Sequence, residues 1–165
     1  MTIDILKRIG LFVALCLAQA LVFNRIQLFG CAMPLLYAYF VITFRRNFPK
    51  WAALLLGFFM GLILDMFSNT PGVVASSLTL LALVQPYVLF LFVPREADAS
   101  LYTSALTMGW SKFFCYVVIM VFISCLVFFS IEAFCFFNFL QWLLNIVGST
   151  VLTVILVLTL ESIRK

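Results

Sequence analysis

The chain contains no histidine, and only 10% of its 165 residues are charged. Histidine is the commonest metal ligand and the usual general base near neutral pH, so Ser-His or Cys-His catalysis and a His-ligated zinc or haem site are excluded. The sequence also lacks a glycine-rich phosphate loop. General acid and base work requires paired titratable groups, and Asp65 has no acidic partner within its own or the adjacent apolar run. These absences predict a protein that is not an enzyme and that carries no metal or cofactor.

Cysteine, glycine and proline are also scarce. The chain has seven Gly and five Pro, too few for a disordered or repetitive architecture. Its five cysteines show no Cys-x-x-Cys spacing, and most lie in apolar stretches, where a free cysteine behaves as a small buried hydrophobe. We therefore expect neither a metal centre nor a disulfide framework.

Apolar residues are what the chain has in abundance. They make up 66% of it, and the mean hydropathy is +1.24, whereas soluble domains are roughly 45 to 50% apolar. The 20 phenylalanines add bulky surface for contact with lipid and between helices. This composition predicts an all-α integral membrane protein with one membrane domain over residues 1–165.

Six apolar runs divide this domain, and most have the ~17 to 25 residues that a helix needs to cross a bilayer. Pro34 and Pro86 fall inside two of them and are expected to bend those helices, with neighbouring side chains satisfying the freed backbone groups. The predicted fold is thus a bundle of six transmembrane helices. The predicted spans are Ile9–Phe23, Ile26–Phe44, Trp51–Phe67, Gly72–Val93, Phe113–Ile131 and Phe139–Leu160.

The positive charges predict the orientation of this bundle. If both termini are cytoplasmic, Arg25 is the only one of the ten Lys and Arg residues on the outer side, as the positive-inside rule expects. The net charge of +4 is then a consequence of topology. The cations form no continuous basic stripe with interleaved aromatics, so nucleic-acid binding is not predicted.

The first apolar run permits a second interpretation. Lys7 and Arg8 precede it, and it contains an Ala-x-Ala-like string from Ala18 to Ala20. Cleavage after Ala20, as in a signal peptide, would leave five spans with an external N-terminus. The apolar run continues past this string to Phe23, which favours an uncleaved first span.

Asp65 is the only acidic residue inside a long apolar run. An ionised carboxylate at the centre of a bilayer costs roughly 2.5 to 3.5 kcal/mol, so such a residue usually faces protein or water. Gly57, Gly61 and Asp65 are spaced four apart and share one helix face, and Ser68 to Thr70 are candidate caps of the next helix. The carboxylate is predicted either to mark a functional site or to accept hydrogen bonds from the first amides of the next helix and so lock the turn.

Other helix faces are suited to contact with neighbouring helices. Gln141, Asn145 and Gly148 fall along one face of the sixth span, which is predicted to point into the bundle or at a partner. Ala14 and Ala18 form a small-xxx-small pair on the first span. Such pairs let two helix backbones approach closely in a membrane.

The stretch GLILDMFSNTPG, from Gly61 to Gly72, followed by VVASSLTLLAL, resembles the rod shape-determining protein family MreD. Length and hydropathy extend the resemblance over the whole chain, although Val73 stands where family members typically continue with a leucine-glycine pair. The resemblance implies a non-catalytic component of the bacterial inner membrane. It would bind the single-span protein MreC and, through it, link MreB filaments to RodA and a class B penicillin-binding protein. It also makes Gly57, Gly61, Asp65, Pro71 and Gly72 the structural centre of that role.

The substrate-binding subunits of energy-coupling-factor vitamin transporters offer the main alternative. They are also six-span proteins of similar size, and the MreD fold resembles theirs. They use an Ala-xxx-Ala pattern in the first span to meet a coupling subunit, and Ala14 with Ala18 fits it. A vitamin site would need polar groups converging on a pocket, for which Asp65, Asn69 and Asn145 are candidates with Gln141. A structural protein of some other membrane complex remains a third possibility.

Overall fold

The computed structural model describes residues 2–21, 34–44, 48–70, 72–93, 108–132 and 139–163. These residues form helices and short connections without a β-strand, so the predicted all-α class is confirmed. The principal helices are α1 (Thr2–Leu21), α2 (Ala38–Ile42), α3 (Lys50–Ser68), α4 (Val73–Phe92), α5 (Trp110–Glu132) and α6 (Phe139–Ile163).

Four of these helices are long and apolar enough to cross a membrane, namely α3, α4, α5 and, from Leu140, α6. Their bounds agree closely with the last four predicted spans, which supports a multi-pass membrane protein. The helix α4 continues through Pro86. The helix α1 begins at Thr2, before the predicted Ile9, and its apolar part, Gly10–Gln19, is shorter than a full span.

The second predicted span, Ile26–Phe44, differs most from the structure. Residues 26–33 lie outside the described part of the chain, and Pro34 and Leu35 are not helical. A turn at Leu36 and Tyr37 leads into the five-residue helix α2. The prediction of one helix through this stretch is therefore wrong at its centre, because proline removes a backbone donor and its ring clashes with the preceding turn.

The short helix α2 and its flanks form the centre of the bundle. Every residue from Pro34 to Phe44 is buried, and α2 contacts α1, α4 and α5. A helix that is apolar on all sides is typically enclosed in this way. Around it, α3 packs on α4, α4 on α5, and α5 on α6, while α1 lies against α3.

Aromatic rings join α2 to its neighbours. Phe40 makes edge-to-face contacts with Phe12 of α1 and with Phe44, and Phe44 stacks on Phe48 at 5.1 Å between centroids. The outer faces of the helices carry large exposed apolar side chains, such as Met66 and Leu91. These faces suit contact with lipid. Several polar side chains, including Asp65 and Glu161, are instead buried within the bundle.

Candidate functional site

The helices α3 and α4 approach each other closely where α3 carries glycine. A Cβ atom added to Gly61 would lie 2.3 Å from the Cα of Ala75, a distance that real Cβ atoms do not adopt. A Cβ on Gly57 would lie 3.2 Å from the carbonyl oxygen of Leu78, which is tight but tolerable. Gly61 therefore sets the closest approach of the two backbones, as small residues do between membrane helices.

Asp65, one turn beyond Gly61, lies at the end of this contact and is only 5% exposed. The backbone amides of Val74 and Ala75 donate to its two carboxylate oxygens, each at 2.9 Å. The hydroxyl of Thr70 donates to the same oxygen as Val74, also at 2.9 Å. The expected contact between this carboxylate and the first amides of the next helix is thus confirmed.

The hydrogen bonds define an N-cap supplied from another helix. The N-cap residue of α4, Gly72, has no side chain and makes no capping bond of its own. Asp65 takes over that function from α3, and its negative charge faces the positive end of the α4 dipole. The predicted cap by Ser68, Asn69 or Thr70 is wrong, because these residues close α3 and the turn instead.

The turn itself depends on two residues with positive φ. Asn69 follows α3 at φ 56°, and its amide donates to the carbonyl of Asp65. Gly72 precedes α4 at φ 80°, a conformation that glycine adopts without strain. Pro71, also predicted as part of this turn, lies outside the described residues.

The hydrogen bonds of Asp65 favour a structural role for its carboxylate. Its carboxylate already accepts three hydrogen bonds from within the α3–α4 hairpin. Within the described residues, no group of three or more His, Cys, Asp or Glu side chains is placed to hold a metal ion. The arrangement can fix the angle and spacing of two membrane helices.

A second polar cluster, which the sequence reasoning did not identify, lies at the break before α2. The side-chain amide of Gln19 donates to the carbonyl of Pro34 at 2.9 Å, and its oxygen accepts from the amide of Leu36 at 3.0 Å. From α6, the hydroxyl of Thr153 accepts from the amide of Leu35 at 3.0 Å and donates to its own helix at Ser149. The expectation that neighbouring side chains satisfy the groups freed at Pro34 is confirmed.

Further buried hydrogen bonds tie α2 to the bundle. The hydroxyl of Tyr39 donates to a carboxylate oxygen of Glu161 at 2.8 Å, and Glu161 is 5% exposed. The hydroxyl of Tyr116 on α5 lies 3.3 Å from the amide of Gln85 and 3.4 Å from the carbonyl oxygen of Ile42. These contacts join α2 to α4, α5 and α6.

The α6 face with Gln141, Asn145 and Gly148 is not the most buried face of that helix, so of its two predicted orientations the one towards a partner stays open. Gln141 is exposed, and Asn145 and Gly148 are only half-buried. The buried stripe instead runs along Ile146, Ser149, Thr150, Thr153, Val157 and Glu161. Small hydroxyls pack inside and bond to helix carbonyls, as Thr150 and Thr153 do. The spacing of Ser149, Thr150 and Thr153 along the helix was the sequence feature that could have indicated this buried face.

The alanine pair on α1 is partly open to its surroundings. Ala14 is exposed and Ala18 is half-buried, between the exposed side chains of Val13 and Leu17. Ala14 is open to contact with another helix, whereas Ala18 packs against the core of the bundle.

No protein-family model, curated protein or solved structure matches the chain. Its function is therefore inferred from its residues and their contacts.

Proposed function

We propose that the chain is a non-catalytic membrane scaffold of the bacterial elongation machinery, similar in role to MreD. The observation that carries this proposal is the cap that Asp65 of α3 provides for α4. The stretch that resembles the MreD family is used here to build a rigid hairpin. Its carboxylate is occupied by backbone amides rather than turned towards a substrate.

Close packing of the hairpin supports the same proposal. Gly61 brings the two backbones together, and the outward side chains of α3 and α4 form a broad apolar surface that includes Phe59 and Leu83. A rigid hairpin with an apolar outer surface suits contact with another membrane helix. In this proposal the chain lies in the inner membrane with both termini cytoplasmic. It binds an MreC-like single-span protein and, through that protein, acts with MreB filaments, RodA and a class B penicillin-binding protein.

Copurification tests the proposal. The tagged chain is extracted from its host in mild detergent, and the associated proteins and small molecules are identified by mass spectrometry. We expect an MreC-like single-span protein to copurify, and depletion of the chain to convert rod-shaped cells to round ones. A tightly bound vitamin, with no such protein and no change of shape, would contradict the proposal.

The exposed position of Ala14 favours one alternative function, that of a vitamin-binding subunit of an energy-coupling-factor transporter. Such a subunit uses the Ala-xxx-Ala pattern to meet its coupling subunit. Ala14→Leu enlarges an exposed position without touching the Asp65 hairpin. Loss of a copurifying coupling subunit in this variant would support the transporter, whereas unchanged recovery of the MreC-like protein would support the scaffold.

A further inference from the structure

One end of the bundle combines exposed lysine and exposed aromatic rings. The start of α3 lies beside the end of α4, since the ammonium of Lys50 is 5.2 Å from the ring centroid of Tyr87. The end of α4 lies beside the start of α5, where the rings of Phe92 and Tyr116 meet edge-to-face at 6.3 Å. This end is the one that the charge distribution predicts to be cytoplasmic.

Three aromatic side chains at this end are exposed. Trp51 is 69% exposed, Tyr87 is 61% exposed, and Trp110 is also exposed. Trp and Tyr concentrate at the level of lipid headgroups, because their rings have one apolar and one polar side. The level of Lys50 is thus the membrane interface rather than the hydrocarbon core.

No acidic side chain among the residues that the structure describes pairs with Lys50. Its described contact is the Tyr87 ring, which leaves the ammonium free to bind an anion. Glu161 of α6 is buried and accepts a hydrogen bond from the hydroxyl of Tyr39. Among the described residues at the starts of α3 and α5 and the end of α4, none is acidic.

We infer that Lys50, Trp51 and Tyr87 form a site for the headgroup of an anionic phospholipid. The ammonium would pair with the lipid phosphate from its position over the Tyr87 ring, and the exposed Trp51 ring would lie at the level of the headgroups. Charge complementarity supports this occupant, because the cytoplasmic leaflet carries the anionic lipids that attract lysine near a membrane surface. A zwitterionic phospholipid offers the same phosphate together with a repelling ammonium group. The inference does not depend on the proposed scaffold role.

Native mass spectrometry of the full-length chain tests the site. Detergent-purified protein is mixed with equal amounts of phosphatidylglycerol and phosphatidylcholine, and the retained lipids are counted. We expect preferential retention of phosphatidylglycerol. Lys50→Gln should weaken it about fivefold, corresponding to the ~1 kcal/mol that one lysine contributes near an anionic surface. Retention of phosphatidylcholine should not change.

The control is Lys112→Gln, at the same end of the bundle and likewise exposed. It should have much less effect than Lys50→Gln, and Tyr87→Leu should give an intermediate loss. Equal loss in both lysine variants would show a general charge effect and would overturn the site, as would no loss in Lys50→Gln. Competition by millimolar inorganic phosphate would identify a free-phosphate site and would also overturn the proposal. Unfolding temperatures in lipid-free detergent should match between variants, since Lys50 and Lys112 are both exposed.

Discussion

A carboxylate oxygen of Asp65 accepts a hydrogen bond of 2.9 Å from the backbone amide of Val74, a residue of the next helix. The two residues are nine positions apart, and the bond closes the turn between α3 and α4. Because the other oxygen binds the amide of Ala75, the carboxylate spans the first turn of α4. A helix start within the bundle is thereby satisfied without water.

Replacing this carboxylate should destabilise the hairpin. In Asp65→Ala, the amides of Val74 and Ala75 and the hydroxyl of Thr70 lose their acceptors. Lost caps and buried unpaired donors together cost roughly 2 to 4 kcal/mol. Asp65→Asn keeps one acceptor oxygen and should lie between this variant and the wild type. Chemical denaturation in detergent measures the free energy of unfolding.

The matched control for that series is Ser76→Ala. Ser76 lies in the first turn of α4, but its hydroxyl is exposed and donates only to carbonyls of its own turn. Its loss should change the free energy of unfolding by less than ~0.5 kcal/mol. Equal effects of Asp65→Ala and Ser76→Ala would show that the cap is unimportant.

The two glycines of α3 should respond differently to alanine. Gly61→Ala places a methyl group 2.3 Å from the Ala75 backbone, so the helices must separate, and we expect a loss of about 3 kcal/mol. Gly57→Ala meets its nearest atom at 3.2 Å and should cost less. Gly10→Ala on α1 meets nothing within 4 Å and should be neutral or slightly stabilising, because alanine favours helix. Thermal unfolding gives the order, and Gly57→Ala costing as much as Gly61→Ala would contradict the close approach.

Two threonines of α6 allow the acceptor role of Thr153 to be tested apart from the hydrogen bond that a threonine makes within its own helix. Thr153 and Thr159 both donate to the carbonyl four residues earlier, but only Thr153 is also described as accepting from Leu35. Thr153→Val should therefore leave a buried amide unpaired at a cost of roughly 1 to 3 kcal/mol. Thr159→Val, at an exposed position, should change the free energy of unfolding little. Similar losses in the two variants would refute the role of Thr153 as an acceptor.

The contact between Tyr39 and Glu161 should show coupling in a double-mutant cycle. Tyr39→Phe removes the hydroxyl that donates to the buried carboxylate at 2.8 Å. Glu161→Gln retains an acceptor oxygen but removes its charge. Since hydrogen bonds to charged groups contribute roughly 1.5 to 3 kcal/mol, we expect a coupling energy of at least ~1 kcal/mol. Additive losses in the double variant would show that the two side chains act independently.

Apolar periodicity and length predicted much of the fold. The bounds of α3, α4, α5 and α6 follow from apolar runs of membrane-spanning length. The role of Asp65 also followed from local sequence, because a carboxylate just before a polar turn lies near the first amides of the next helix. This contact was predictable because its partners, Val74 and Ala75, lie only nine and ten residues after Asp65.

The break before α2 was only partly predictable. Pro34 indicated that backbone groups would be freed, but the side chains that bind them come from Gln19 and, far along the chain, from Thr153. Such pairing depends on which sides of α1 and α6 face the centre of the bundle. Because both helices carry apolar residues on most sides, their sequence pattern does not indicate this orientation. For the same reason, the sequence left open whether the α6 face with Gln141 and Asn145 points into the bundle or at a partner.

The bond between Leu35 and Thr153 also has a consequence for biogenesis. The amide and its acceptor are 118 residues apart, so a nascent chain must include α6 before this donor is satisfied. Lipid offers no water to replace the missing partner. A chain stopped before Thr153 would therefore be inserted with the backbone amide of Leu35 unpaired at the centre of the bundle. The synthesis and insertion of α6 are thus needed before the centre of the bundle can mature.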